Sequence, residues 1–389
     1  MTVTAQDEKY MREALTLARE GTALASPGPR VGAVIVSAKG ELAGRGFYTY
    51  NEIEHAEALA LKQAGNAARG GTLYVNLEPH CYTGKTPPCT DAIIAAGIKG
   101  VVAAMADPNP QVAGKGLDQL RAAGINVEVG LLEEEARKLN ESFARYVVTR
   151  RPLITLKSGM TLDGKIAPPP GESLSPSALG AAGATAGWIT SAEARAHVQE
   201  LRHESDAIMV GVGTVIADDP LLTDRTGRPR RRPLLRVVLD SRLRLSSDSR
   251  LVKTARNDVL VFCSFAEENK REELERRGIC VEQVPLGSDD GRPDLPRIVE
   301  RLGAMEITSL MIEGGALVNW AALAAGIVDK VFLYYAPKIL GGTGSVPFAT
   351  GSGYRRLSEA AVIHKVALHR FGEDFAVEGY LRDPYGSSI

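Results

Sequence analysis

His55-Ala56-Glu57, then Glu78-Pro79-His80-Cys81, then Pro87-Pro88-Cys89 form the stretch that decides how the first part of this chain is read. A neutral imidazole and cysteine thiolates hold Zn²⁺ while leaving one position open for water. The metal lowers the pKa of that water and makes a nucleophile near neutral pH. A glutamate two residues after the histidine is placed to move a proton. The spacing follows H-x-E…P-C-x-x-C, with a longer loop before the last cysteine and with His80 where a cysteine is expected. His55 and Cys89 are therefore read as zinc ligands. The third ligand is either His80 or, after a one-residue backbone shift, Cys81.

Working outward, the first 147 residues alternate between helical and strand periodicity. Residues 7–20 and 55–64 read as helices, as do 90–96. Residues 31–37, 72–77 and 100–104 read as strands. Strands separated by helices of this size predict a three-layer α/β sandwich. Each half of the metal motif then falls at a helix N-terminus that follows a strand.

The segment Arg145-Tyr146-Val147-Val148-Thr149-Arg150-Arg151-Pro152 reads as a boundary, dividing the chain into 1–147 and 148–389. Beyond it, strands are predicted at 153–158, 207–211, 236–240, 258–263, 309–312 and 330–335. Helices are predicted at 191–203, 267–277, 295–302 and 317–325. Two final strand-like runs, 361–367 and 375–381, predict an antiparallel edge on a mostly parallel sheet. The Pro-, Gly-, Ser- and Ala-rich segment 168–187 buries little and reads as a mobile loop.

Three glycine runs follow strands in this half: Gly211-Val212-Gly213-Thr214, Gly314-Gly315-Ala316 and Gly341-Gly342-Thr343-Gly344. Glycines at such junctions let backbone N–H groups approach a phosphate. No complete G-x-G-x-x-G is present, so this is not a standard dinucleotide fingerprint. The basic run 225–236 reads either as a solvated loop or as a site in which Arg225 reaches a substrate phosphate. Ser241 and Arg242, just past a strand, are placed to hold the 2′-phosphate of NADPH.

Composition bounds the rest. The chain has 389 residues, too many for one ordinary core, with 44% hydrophobic and 24% charged residues and a net charge of −1. That balance gives no electrostatic reason to expect nucleic acid or an anionic membrane as partner. No signal peptide or long apolar run is seen, so the cytoplasm is the default expectation. Four cysteines make no disulfide framework. Cys263 and Cys280 read as small core residues, and His197, His203, His364 and His369 as surface or core-edge histidines.

Together these pieces resemble the bifunctional deaminase-reductases of riboflavin biosynthesis over nearly the whole chain. The motifs that carry the resemblance are Ser26-Pro27-Gly28-Pro29-Arg30, His55-Ala56-Glu57, Gly84-Lys85-Thr86-Pro87-Pro88-Cys89 and the run Asp107-Pro108-Asn109-Pro110 to Gly116. In the second half they are Leu162-Asp163-Gly164-Lys165, Trp188-Ile189-Thr190-Ser191, Ala217-Asp218-Asp219-Pro220 and Ile312-Glu313-Gly314-Gly315. The resemblance implies a cytidine-deaminase-like N-terminal three-layer sandwich and a dihydrofolate-reductase-like C-terminal domain with a mostly parallel sheet. It implies zinc-dependent deamination of a phosphoribosylaminopyrimidine, then NADPH-dependent reduction of the ribosyl side chain to ribityl, by a homo-oligomer. It makes Glu57 the proton shuttle and Lys85, Asp107 and Asn109 substrate contacts. In the second domain it makes Gly159, Trp188, Thr214, Asp218, Ser241, Gly315, Ala316 and Leu317 cofactor contacts, and Arg202, Leu222, Arg225 and Glu313 substrate contacts.

The chain departs from that family mostly in the first half. Gly28 stands where the family has Asn, Tyr48 where it has His, Glu52 where it has Gly, and His80 where it has Cys. Gly28 and Tyr48 read as two lost hydrogen-bonding partners for the pyrimidine, each costing about 1–3 kcal/mol. The longer segment before Trp188 leaves either Ser173 or Ala186 in the place of a substrate-contacting serine. The rival readings are a reductase carrying a degenerate first domain, and a first domain that binds a pyrimidine or a partner without turnover.

Overall fold

The computed structural model describes residues 4–52, 54–84, 86–169, 187–287 and 291–386. It falls into two compact units, Met1–Arg150 with Pro229–Arg232, and Arg151–Arg228 with Pro233–Ile389. Residues 147 and 148, where the sequence reading divides the chain, lie in the last turn of the helix Glu141–Thr149, which closes the first unit. Most of the loop expected at 168–187 lies outside the described residues, including Ser173 and Ala186; so does Lys85.

The first unit is built on a five-stranded sheet in the order β2-β1-β3-β4-β5. Its strands are β1 (Gly32–Val36), β2 (Leu42–Phe47), β3 (Thr72–Val75), β4 (Gly100–Ala103) and β5 (Asn126–Val129). β1 is antiparallel to both β2 and β3, whereas β3, β4 and β5 run parallel. The apolar run that predicts β1 is buried at all five positions, as befits a strand covered on both faces. β2 is absent from the sequence reading because Leu42-Ala-Gly-Arg-Gly-Phe47 carries two glycines and no apolar alternation. Those glycines have a packing purpose. A β-carbon on Gly44 would stand 2.1 Å from the carbonyl oxygen of Ala60, and one on Gly46 2.3 Å from that of Ala56. The helix Ala56–Ala64 therefore lies backbone-to-backbone on β2, and its first turn is fixed.

The second unit carries a nine-stranded sheet in the order β11-β10-β9-β8-β12-β6-β13-β16-β15. The parallel strands are β6 (Leu153–Thr161), β8 (Ala207–Gly211), β9 (Leu235–Leu239), β10 (Val259–Cys263), β11 (Ile279–Gln283), β12 (Ser309–Ile312) and β13 (Lys330–Ala336). β15 (His364–Phe371) and β16 (Asp374–Tyr380) form the antiparallel edge. A two-stranded ribbon pairs β7 (Lys165–Ala167) with β14 (Val346–Pro347). Helices Ala192–Glu204, Leu295–Ala304 and Ala316–Ala324 connect strands of the large sheet. Ile154, Leu156, Val237, Leu260, Leu310 and Ile312 bury one face of this sheet, and Ile208, Val210, Val238, Val261 and Met311 the other. Cys263 is buried as expected, but Cys280 is exposed, because β11 is an edge strand whose alternate side chains face outward.

Candidate active sites

In the first unit, His55 is the extended N-cap of the helix Ala56–Ala64, and Cys89 opens the helix Cys89–Ala95. His80 comes between them in sequence, and its carbonyl accepts from Thr90 N at 3.2 Å. Among the described residues, His55, His80 and Cys89 form the group able to hold a metal, with their ligand atoms all within 4.8 Å of one another. Nδ1 of His55 lies 3.2 Å from Cys89 Sγ, and Thr86 Oγ1 lies 3.2 Å from His55 Nε2. Burial, reinforced by His55, pulls His80 down to about 4, so its imidazole is neutral at pH 7. Its Nδ1 is buried without a hydrogen-bond partner. Two imidazoles and a thiol, converging with an orphaned buried nitrogen among them, fit a zinc ion with one open position.

Glu57 stands beside this group and is only 3% exposed. Burial pushes its carboxyl up, while His55 and a hydrogen bond with Cys89 oppose the shift. Burial likewise pushes the Cys89 thiol up, and Glu57 adds to it. A metal cation at the group favours the thiolate.

The alternative ligand Cys81 lies outside the group. Burial raises its thiol, and the charges acting on it are those of Glu78, Lys115 and Asp107. His80 thus joins the converging group as the backbone stands, and Cys81 does not.

Glu78 has a structural task that its motif does not announce. Its buried carboxylate accepts backbone N–H groups of Asp107 at 3.0 Å, Gly114 at 2.8 Å and Gly116 at 2.8 Å, with Leu117 N at 3.4 Å. It thereby ties the Asp107–Gly116 loop to the segment carrying His80. Asp107 accepts from Asn109 N at 2.7 Å, and burial raises its carboxyl to about 6. The signal in sequence is a carboxylate just past a buried strand, where N–H groups are the natural partners.

In the second unit a cavity of about 2840 Å³ opens along the carboxyl edge of the parallel strands. Gly159, Trp188, Thr214, Asp218, Ser241, Gly315, Ala316 and Leu317 line it, as do Arg202, Leu222, Arg225 and Glu313. Two of the three glycine runs reach it. The third, 341–344, is not among its lining residues; Asp163 instead accepts from Leu340 N at 3.1 Å and Gly341 N at 2.7 Å. The start of that run is pinned by a carboxylate and stands apart from the cavity.

Glu313 is the electrostatic centre of the cavity. Arg202 donates to it through Nε at 2.7 Å and Nη2 at 3.1 Å, and Lys157 Nζ lies 3.4 Å away. Burial alone would raise the carboxyl, but Lys157 and Arg202 outweigh it and hold it at about 2. Trp188 is 55% exposed, with the Arg195 guanidinium 5.0 Å over its ring. Asp218 is raised by burial.

Of the histidines read from sequence as surface or core-edge, His203 is instead fully buried and His197 sits at the core edge beside the cavity. His203 is buried, with Nδ1 2.8 Å from Asp224 Oδ2, and His197 Nδ1 lies 2.6 Å from the hydroxyl of Tyr334, a cavity-lining residue. Neither lies in a motif. The available signal for His203 is its adjacency to Arg202 on one helix.

Comparison with known proteins matches both halves. Residues 4–105 match the cytidine and deoxycytidylate deaminase zinc-binding region, and residues 152–377 match the RibD C-terminal domain. Riboflavin biosynthesis protein RibD of Actinobacillus pleuropneumoniae is 39% identical over 381 residues, covering 98% of this chain and 97% of its own. The protein of the same name from Aquifex aeolicus is 41% identical over 371 residues, covering 95% and 97%. A solved diaminohydroxyphosphoribosylaminopyrimidine deaminase/5-amino-6-(5-phosphoribosylamino)uracil reductase from Thermotoga maritima superposes with a TM-score of 0.79 at 36% identity, covering 96% of this chain and 98% of that one. RibD of Acinetobacter baumannii superposes with a TM-score of 0.80 at 33% identity, covering 96% and 98%.

Proposed function

The chain belongs to the RibD family of riboflavin-biosynthesis enzymes, and from that premise we propose which of its residues carry the family's two reactions. It is a bifunctional enzyme, a zinc-binding deaminase and an NADPH-dependent reductase acting on a small pyrimidine. A reductase with a degenerate first domain is not favoured, since the relatives match along both halves. We assign deamination of diaminohydroxyphosphoribosylaminopyrimidine to residues 1–147 and reduction of 5-amino-6-(5-phosphoribosylamino)uracil to residues 148–389. The observation that carries the reading is the convergence of His55, His80 and Cys89 beside buried Glu57.

In deamination, His55, His80 and Cys89 hold the zinc ion, which when bound lowers the pKa of a water molecule. Water oxygen adds to the ring carbon that bears the amine. Glu57 moves both water protons, one to the neighbouring ring nitrogen and one to the amine nitrogen, so that the C–N bond breaks, ammonia leaves and the carbon becomes a carbonyl. Asp107 and Asn109, with Lys85, bind the substrate.

In reduction, NADPH when bound would supply a hydride to the ribosyl carbon that bears the amine, while the bond from that carbon to the sugar-ring oxygen breaks and the oxygen takes a proton. Gly159, Trp188, Thr214, Asp218, Ser241 and the helix start at Gly315-Ala316-Leu317 hold the cofactor. The Arg202 guanidinium is fixed by Glu313, and the exposed Arg225 takes the substrate phosphate, for which a guanidinium fork is suited. Leu222 packs against the bound substrate.

We further place the enzyme in the cytoplasm as a homo-oligomer, with neither nucleic acid nor membrane as a partner. The net charge of −1 gives no electrostatic pull toward nucleic acid or an anionic membrane, and no helix among the described residues is long and apolar enough to cross a membrane. Separable losses test the assignment. Glu57→Gln is expected to abolish ammonia release and spare NADPH oxidation on the deaminated substrate; Arg225→Ala is expected to do the reverse. Loss of both activities in either folded variant would overturn it.

A further inference from the structure

The helix Ala192–Glu204 grips the loop ahead of β9 residue by residue. Gln199 Oε1 accepts from Arg225 N at 3.1 Å, and Arg202 Nη1 donates to Thr223 O at 3.0 Å. His203 Nδ1 lies 2.8 Å from Asp224 Oδ2, with the two side chains only 3% and 7% exposed. Asp224 Oδ1 in turn accepts from Thr226 N at 2.9 Å and Thr226 Oγ1 at 2.8 Å. The loop so held begins at Leu222, buried with a φ of +54°, a left-handed conformation that a branched aliphatic residue adopts only when its surroundings impose it.

A buried imidazole–carboxylate contact is a costly way to hold a loop. Well-packed apolar residues would do it at less desolvation cost, so what the contact adds is directional fixing. Asp224 is not among the residues lining the cavity, yet Leu222, Thr223 and Arg225 around it are. The side chain of residue 224 points back into the unit while its neighbours face the cleft.

We propose that His203 and Asp224 are positioning residues for substrate binding in the reduction. They fix the backbone at 222–225 so that Leu222 and Arg225 meet a phosphorylated pyrimidine in a set geometry. This rests on the reading that Leu222 and Arg225 contact that substrate.

The test uses the full chain, following NADPH oxidation with the deaminated pyrimidine and ammonia release from the diaminopyrimidine. His203→Leu removes the polar contact, and His203→Asn restores a donor near the place of Nδ1. His203→Leu is expected to raise KM for the deaminated substrate roughly tenfold, since a small misplacement of binding groups costs about that much or more. kcat, KM for NADPH and ammonia release should stay within about twofold, and His203→Asn should recover most of the lost KM. Should His203→Leu not fold, Gln199→Ala removes the Arg225 N contact and should raise the same KM. Folded variants with an unchanged KM for the deaminated substrate overturn the proposal, and so does a KM for NADPH that rises in parallel. An unmodified chain that does not oxidise NADPH with that substrate overturns the functional reading itself, a separate failure.

Discussion

A β-carbon on residue 28 would stand 2.8 Å from Cε1 of Tyr48 and 3.3 Å from its hydroxyl. The Tyr48 ring in turn meets His55 edge-on, centroids 5.5 Å apart at 84°. Gly28 and Tyr48, which read in sequence as two separate losses, are neighbours: the Tyr48 ring tip stands against the place a β-carbon at 28 would take. Gly28→Ala should therefore displace the half-buried Tyr48 ring and destabilise the first unit by about 1 kcal/mol, the low end of overpacking costs. Most of that cost should vanish in a Tyr48→Ala background, with the carbonyl of Ala25, 3.2 Å from the same point, supplying the remainder. Urea denaturation of the four chains in the cycle measures the coupling.

Zinc content separates His80 from its neighbour. His80→Ala should leave the purified chain nearly free of zinc and without ammonia release. Cys81→Ser should keep both, because Cys81 lies outside the converging group. Metal analysis after dialysis against a mild chelator makes the comparison.

Glu78→Gln should loosen the Asp107–Gly116 loop. An amide offers one acceptor oxygen and points N–H groups at other N–H groups, whereas the carboxylate satisfies Asp107, Gly114 and Gly116 with both oxygens. A loss of about 3 kcal/mol in the first unit is expected, since buried donors left unpaired cost about 1–3 kcal/mol each. Faster hydrogen exchange at the amides of Gly114 and Gly116 would mark the cause.

Glu313 carries a pH signature. Its carboxyl is held at about 2 in the folded chain, below the ordinary 4.5, so its contribution is fully present above about 4.5. That contribution is lost as the pH falls through the folded value. Glu313→Gln should cost about 2–3 kcal/mol near pH 7, because it removes the carboxylate between the partly buried Lys157 and Arg202. The difference between variant and parent should narrow below pH 4.5. Denaturation midpoints recorded from pH 7 to pH 3 measure it.

What was legible in the sequence was periodic or motif-bound. The buried run at β1, the helices beginning at His55 and Cys89, and the final antiparallel pair all declare themselves locally. β2 did not, because its glycines serve the helix above it rather than the strand. The choice between His80 and Cys81 was beyond sequence, since adjacent residues of one segment differ only in which way each faces. His203 and Asp224 were invisible for the same kind of reason: their contact spans 21 positions, and neither belongs to a motif. The third glycine run looked like its fellows, yet it does not line the cavity, and the carboxylate of Asp163 takes the N–H groups of Leu340 and Gly341 at its start.

The most direct test of the central claim is zinc per chain, measured on the same purified sample that is assayed for ammonia release from the diaminopyrimidine. The account predicts about one zinc per chain, set by a single converging ligand group, and ammonia release that disappears when the zinc is chelated and returns when it is restored. A chain without zinc and without ammonia release, still oxidising NADPH on the deaminated substrate, would contradict it.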